Sequence, residues 1–356
     1  MVSIFTAGGV IIDNIVTADG LVRQQVMGGN AVYSAAGARL WNDHVGIVAL
    51  VPRNYPSQWL TQLKHSGIDT TGVSTVDESV ECSEWFFYRD DGSRVDQLHG
   101  AAGCLEAFGV PGPRMTRAQA RAFEAFLRSQ APTGSNFGAF RRAHPVLPDH
   151  VPEAYRAARG VHLAPNGVAA QQALARELCG PDRTITLDPG SHAAHWRTSP
   201  LSELLAGLDA VLPSEKELLL MLDAASPEEA LRALVRAGVP VALVKRADAG
   251  SMFASRDASG CRRLPAIPVE VQDPTGAGDA FCGGFLAGLV ATGEPLCAAL
   301  CGTVSASFAI ESFGPFQLLG ASRAEAAARF RTLARQCELP DSEQHLATVL
   351  TGHQTP

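Results

Sequence analysis

Short apolar runs alternate with helical segments along most of this chain, and that alternation limits the fold more than any other feature. Ile4 to Ile12 reads as a buried strand broken at Gly8-Gly9, and His44 to Val51 as a second. Val161 to Ala164, Thr184 to Leu187, Ala210 to Leu212 and Val239 to Lys245 repeat the type. Between them Asn30 to Trp41, Ser57 to Ser66 (closed by Gly67), Gly167 to Cys179, a segment from Ser214, and Pro227 to Ala237 read as helices. Such alternation predicts an α/β fold, a parallel sheet covered by helices on both faces. Ser251 to Val271 predicts a hairpin and a further strand, and Ala277 to Thr292, Pro295 to Ile310 and Arg323 to Cys337 predict closing helices.

Three stretches depart from this rhythm. Glu84 to Gln97 carries a hairpin signal: Trp85 to Tyr88, a turn at Asp90-Asp91-Gly92, then Arg94-Val95. With Asn14 to Met27 it predicts a small antiparallel sheet off the main body, and lid segments at about 14–27 and 70–100. Residues 104–160 are longer and less regular. Thr116 to Gln130 reads as a helix with Thr116 near its N-cap, and Ala131 to Pro152 as a long loop. Residues 341–356 read as a loose tail after a single domain of 1–340.

Several function classes are disfavoured. The net charge is -7 and no basic run occurs, so a nucleic-acid partner is not expected. No segment approaches the ~18 apolar residues that span a bilayer, and the start, Met1 to Phe5, lacks the pattern of a signal peptide. A cytoplasmic protein is expected. The eight cysteines form no C-x-x-C pair and read as free thiols. His192 and His195 have no Glu or Cys cluster beside them to make a zinc site.

The chemistry concentrates in Asp273-Pro-Thr275-Gly276-Ala277-Gly278-Asp279-Ala-Phe, with Gly283-Gly284-Phe285 after it. Small residues at 276–278 let the backbone approach a ligand where a loop enters a helix, so free N–H groups and the positive helix end face an anion. Asp279 falls in the first turn. A carboxylate there repels phosphate but can take a proton from an attacking hydroxyl. The plainer alternative is a tight turn with Asp279 as a cap. A Walker A loop is excluded, because the segment ends Gly278-Asp279-Ala280 instead of Gly-Lys-Ser/Thr. Gly8-Gly9 lacks the third glycine of a dinucleotide fingerprint.

This segment resembles the C-terminal signature of the ribokinase-like (PfkB) carbohydrate kinases. Gly28-Gly29-Asn30-Ala31, entering an Ala-rich helix, resembles the family's N-terminal signature, and Asp13 matches its sugar-contacting Asp. Pro213-Ser214-Glu215-Lys216-Glu217 resembles its Pro-Asn-x-x-Glu segment, and Val244 to Gly250 the strand and turn that cover the nucleotide. The likeness spans roughly residues 1–337. It implies a Rossmann-like ribokinase fold with a small β lid, and transfer of the γ-phosphoryl group of ATP to a substrate hydroxyl. Asp279 would then be the base and Gly276, Ala277 and Gly278 the anion hole. Glu217 would act on Mg²⁺ through water, with Ser214 beside it. Asp273 and Thr275 resemble residues that hold a monovalent cation such as K⁺ in some members. Lys245 and Gly250 would lie along the nucleotide, Ser305 and Ser307 would border the adenine, and Asp13, Gly28, Gly29, Asn30 and Tyr33 would line the acceptor site.

Some positions depart from the family pattern. Ser214 replaces the usual Asn, Ala247 a glycine of the nucleotide turn, and Tyr33 a frequent Asn. The acceptor stays open among sugars, nucleosides, cyclitols and amino sugars. Tyr33, Trp85 or Phe87 could wall a base, and Glu84, Arg89, Asp90, Asp91, Arg94, Arg141 and Arg142 are weaker candidates that read first as surface charges. A catalytically weak ligand-binding or regulatory homologue is the alternative class. A homodimer through the exposed edges of the lid strands is also open.

Overall fold

The computed structural model describes residues 1–98, 103–109, 114–130 and 136–351. Nine strands form the main sheet, in the order β13-β12-β11-β10-β9-β8-β1-β4-β5. They are β1 (Ile4–Ala7), β4 (Val45–Pro52), β5 (Ile68–Val76), β8 (Gly160–Leu163), β9 (Thr184–Leu187), β10 (Ala210–Val211), β11 (Val241–Lys245), β12 (Ser251–Ser255) and β13 (Cys261–Leu264). All neighbouring pairs run parallel except β11–β12 and β12–β13.

Alternation along each strand builds the two faces. Ile4, Ile47, Ala210, Leu212 and Leu243 face one apolar layer, and Phe5, Val48, Val211, Ala242 and Val244 the other. The first layer packs against α1 (Asn30–Arg39), α2 (Ser57–His65), α10 (Ala277–Thr292), α11 (Pro295–Ala309), α12 (Phe316–Leu319), α13 (Arg323–Gln336) and α14 (Ser342–Thr351). The second is covered by α6 (Val168–Leu178), α7 (Leu201–Leu204), α8 (Glu215–Met221) and α9 (Pro227–Arg236). Small residues let α1 and α10 touch: a side chain on Gly37 would strike the Ala280 backbone, and one on Gly283 the Ser34 backbone.

A second sheet, β3-β2-β6-β7, forms the lid. It comprises β2 (Ile11–Val16), β3 (Val22–Gly28), β6 (Ser83–Tyr88) and β7 (Arg94–Leu98). Its residues alternate too. Glu84, Phe86 and Tyr88 face the cleft described below, whereas Trp85 and Phe87 pack outward against α4 (Arg117–Ser129). Thr116 caps α4 in a capping box with Gln119, as its position predicts. The short α3 (Cys104–Phe108) completes this outer layer.

The structure corrects five expectations. The lid sheet is mixed instead of antiparallel, because β2 and β6 run parallel. β5 pairs with β4 at the edge of the main sheet, so the second lid segment begins near Ser83 and not at residue 70. The stretch read as loop contains α5 (Phe137–Ala143), capped by Asn136 and anchored by buried Phe137 and Phe140; residues 131–135 lie outside the described residues. No strand follows β13 in 265–271. Residues 342–351 are not loose: Leu346 and Val349 are buried and seat α14 against α10 and α13. No helix among the described residues is long and apolar enough to cross a membrane.

Candidate active site

The C-terminal ends of five strands open into one cleft of about 1590 Å³. Gly9 after β1, Pro165 after β8, Asp188 after β9, Ser214 after β10 and Lys245 at the end of β11 all line it. Parallel sheets place ligands at this edge, where the strand order changes direction; here β1 lies between β8 and β4.

Gly276 caps α10 in the left-handed region at φ 76°. Glycine is required there on two counts, because any side chain would also run into the Tyr33 ring. Ala277, Gly278 and Asp279 form the first turn, so the N-terminal end of a 16-residue helix faces the cleft; the Ala277 N–H donates to the Pro274 carbonyl at 3.3 Å. Burial pushes the Asp279 carboxyl up to about 7; Asp188 pushes the same way, and Lys245 pulls against it. Below the turn, buried Asp273 accepts from the Thr275 N–H at 2.9 Å and the Thr275 hydroxyl at 2.6 Å. Its second oxygen, Oδ2, has no hydrogen-bond partner among the described residues. The Tyr88 and Thr275 hydroxyls lie 2.7 Å apart, tying the lid to this turn.

On the other arm of the cleft, Ser214 and Glu217 form a capping box. The Ser214 N–H donates to Glu217 Oε2 at 2.7 Å, and Glu217 N–H to the Ser214 hydroxyl at 3.3 Å. Serine in place of the usual asparagine thus still caps α8 and holds Glu217 at the cleft. Burial and the nearby Asp188 raise the Glu217 pKa. Lys245 Nζ lies 2.5 Å from Asp188 Oδ2 and 3.4 Å from Cys282 Sγ. Burial alone would lower the Lys245 pKa, but Asp188 reverses this and holds the ammonium charged. A methyl on Gly278 would sit 3.5 Å from Lys245 Nζ, so this cation adjoins the α10 turn. Ala247 adopts φ 51°, the backbone that suits the glycine it replaces. Gly250 (φ 78°) has no room for a side chain against the Leu264 carbonyl.

The expected acceptor residues come together at the lid end. Asp13 is 1 % exposed, and its Oδ1 has no partner among the described residues. Gly28 does not line the cleft but makes room for the Asp13 carboxylate. Gly29, at φ 108°, lets the chain turn into α1. Asn30 braces two loops, accepting from Gly9 N–H at 2.7 Å and donating to the Pro165 carbonyl at 3.0 Å. The Tyr33 phenol is buried, and its hydroxyl has no partner among the described residues.

Several placements differ from expectation. Ser305 is core: it lies outside the cleft and donates to the Gly37 carbonyl at 3.0 Å, whereas Ser307 does line the cleft. Trp85 and Phe87 turn away beneath α4, and Phe86 supplies the aromatic wall. Of the charges read as surface, Glu84, Arg94, Arg141 and Arg142 line the cleft. Arg89 pairs instead with Glu124, and Asp90 with Arg117, outside it. Asp188 was missed, although its place in Asp188-Pro-Gly directly after a strand is the signal that finds it. Among the described residues, no three His, Cys, Asp or Glu side chains cluster to preform a metal site.

Residues 170–318 match the profile of the pfkB family carbohydrate kinases. A cytidine kinase of Thermococcus kodakarensis is 27% identical over 297 residues, which cover 83% of this chain and 91% of that protein. Among solved structures, an Escherichia coli protein described as a ribokinase II, with ATP and Mg²⁺, superposes with TM-score 0.66 at 18% identity over 93% of this chain and all of that one. A Burkholderia thailandensis nucleoside kinase bound to inosine superposes with TM-score 0.63 at 20% identity, covering 92% of this chain and 97% of the other.

Proposed function

Since this chain carries a pfkB family carbohydrate kinase domain and is a phosphotransferase with an alcohol group as acceptor, we propose that it moves the γ-phosphoryl group of ATP onto a nucleoside hydroxyl. The observation that carries this is the meeting, in one cleft, of the α10 turn, Asp279 and the acceptor carboxylate Asp13. The acceptor oxygen attacks the γ-phosphorus and its proton passes to Asp279. The bond from that phosphorus to the bridging oxygen breaks, and ADP leaves with the electron pair. Gly276, Ala277 and Gly278 present N–H groups to the transferring oxygens, and Lys245 adds a positive charge beside them.

Mg²⁺ brought by the nucleotide would offset phosphate charge. The carboxylates of Glu217 and Asp188 are the hard oxygen donors that suit it, and Mg²⁺ in kinases is commonly held by one or two carboxylates plus phosphate and water. The unpartnered Asp273 Oδ2 suits a monovalent cation such as K⁺. Ser214, Glu217, Gly250 and Ser307 line the nucleotide arm, together with Thr303, Ala306 and Ile310.

A nucleoside is favoured over a free sugar because the lid end is walled by Phe86 and Phe137 beyond Asp13. The cytidine kinase relative supports the same class. A homodimer through the lid remains a proposal restricted to the edges of β3 and β7, since α3 and α4 cover the outer face of that sheet. The test is ADP release with ATP, Mg²⁺ and a panel of nucleosides, sugars, cyclitols and amino sugars, with and without K⁺. Acceptor-dependent ADP release with nucleosides supports the reading. Binding of the panel without turnover would favour the ligand-binding alternative.

A further inference from the structure

The acceptor end of the cleft contains two charged side chains that the phosphoryl-transfer chemistry does not use. Glu84 comes from lid strand β6 and is 6 % exposed, yet its carboxylate has no hydrogen bond or ion pair among the described residues. Arg141 comes from α5. Its guanidinium packs on Gly9, within 3.2 Å of where a side chain there would begin, and donates to the Pro165 carbonyl. Arg141 forms no ion pair among the described residues and keeps further N–H donors, of the five a guanidinium carries.

We propose that Glu84 and Arg141 together read a nucleobase that carries an exocyclic amino group. The Glu84 carboxylate accepts from the amino group, and Arg141 donates to the neighbouring ring nitrogen or carbonyl. This rests on the nucleoside reading above and names the base class it admits.

Three observations converge on it. The first is position. Asp13 and Glu84 are register partners on adjacent parallel strands, about 4.8 Å apart across the sheet. A ribose whose hydroxyls meet Asp13 therefore places its base one strand over, beside Glu84, along the wall made by Phe86 and Phe137. The second is satisfaction. A buried carboxylate without donors is costly, and burial indeed pushes Glu84 up to about 7, against the pull of Arg141, Arg94 and Arg142. An amino group supplies the missing donor. The third is charge. Arg94 already pairs with Asp96 and lies 5.0 Å from the Phe86 ring centre. A phosphorylated acceptor would bring its charge against Glu84 and Asp13. An ammonium group would meet Arg141. An uncharged edge with a donor beside an acceptor satisfies both side chains, whereas the oxo edge of uracil or hypoxanthine turns an acceptor toward the carboxylate.

The test compares cytidine with uridine, and adenosine with inosine, under ATP and Mg²⁺, with ribose, fructose 6-phosphate and an aminocyclitol alongside. For whichever ring size is turned over, the amino-bearing member should lead in kcat/KM by on the order of 10²-fold, as expected for a charge-assisted hydrogen bond lost by its partner. Glu84→Gln should collapse that ratio at least ~10-fold, mainly through KM, because the carboxamide can donate to an oxo group; ATP affinity should be unchanged. Glu84→Asp should keep the direction of preference. Equal use of both members, or an unaltered ratio in Glu84→Gln, overturns the base-reading pair and leaves the nucleoside assignment standing. Turnover confined to ribose, fructose 6-phosphate or the aminocyclitol overturns the nucleoside assignment, and the pair with it. Should Glu84→Gln not fold, the wild-type ratios and Arg141→Lys decide.

Discussion

The Tyr33 ring fills the space that any side chain on Gly276 would need. A residue on α1 that lines the cleft thereby props the turn that starts α10, and under the proposed function the acceptor pocket and the anion-binding turn cannot shift independently. Gly276→Ala faces both a left-handed backbone at φ 76° and this ring. It should cost about 1–3 kcal/mol of stability and lower kcat by on the order of 10²-fold, as displaced anion-hole donors do. Thermal melts and steady-state rates check both. Tyr33→Phe keeps the prop and removes only the buried unpartnered hydroxyl, so stability should hold while the acceptor KM changes.

As the proposed base, Asp279 sets the expected pH dependence. The base must be ionised to take a proton, and burial raises its carboxyl to about 7. Activity should therefore be present above that value and fall as pH drops through it, with kcat/KM declining tenfold per unit on the acid side. Asp279→Asn should remove this limb and lower kcat by about 10²- to 10⁴-fold with ATP binding kept. A carboxyl whose pKa is raised by folding binds its proton more tightly in the folded state, so its ionised form opposes folding at pH 8. The Asn variant should therefore melt no lower than wild type at pH 8. A fall in melting temperature there with normal turnover would mark Asp279 as a structural cap.

Lys245 and Asp188 make the next prediction. Their pair is nearly enclosed, with side chains 12% and 5% exposed. Asp188→Asn leaves the ammonium buried without its counter-charge, which for buried pairs costs about 3–5 kcal/mol. Nucleotide phosphates can replace that charge, so ATP in excess chelator, where the Mg²⁺ that Asp188 would help to hold is absent, should raise the melting temperature of the variant more than that of wild type. An equal rise in both would place Lys245 away from the phosphates.

The sequence made the parallel core legible because β1, β4, β8, β9 and β11 alternate or run apolar between helices with plain starts and stops. The α10 turn was legible because glycine and aspartate are so narrowly spaced there. Other features depended on tertiary contacts that spacing does not carry. Arg141 reads as a surface charge until α5 folds it onto Gly9, and α5 itself is too short for its period to stand out. Trp85 and Phe87 are as aromatic as Phe86, but strand alternation sends them to the opposite face, a parity fixed by which neighbour Glu84 faces. Ser305 and Ser307 share one helix, yet only Ser307 reaches the cleft.

That outward parity leads to the last prediction. Phe123 of α4 is fully buried, with its ring centre 5.1 Å from Trp85 and 5.7 Å from Phe87. The lid is therefore held from behind by a helix, while Glu84, Phe86 and Tyr88 on its inner face line the cleft. Phe123→Ala empties the centre of this cluster, a change that typically costs 3–5 kcal/mol. Because the cluster is separate from the two main apolar layers, the loss should fall on the lid before the sheet. Hydrogen exchange should quicken in β6 and β7 while β1, β8 and β11 stay protected. A lid that opens more often admits water to the transferring group, so the acceptor KM and the ratio of ATP hydrolysis to transfer should both rise. Unchanged hydrolysis with a raised KM would mean that the lid positions the acceptor without sealing the site.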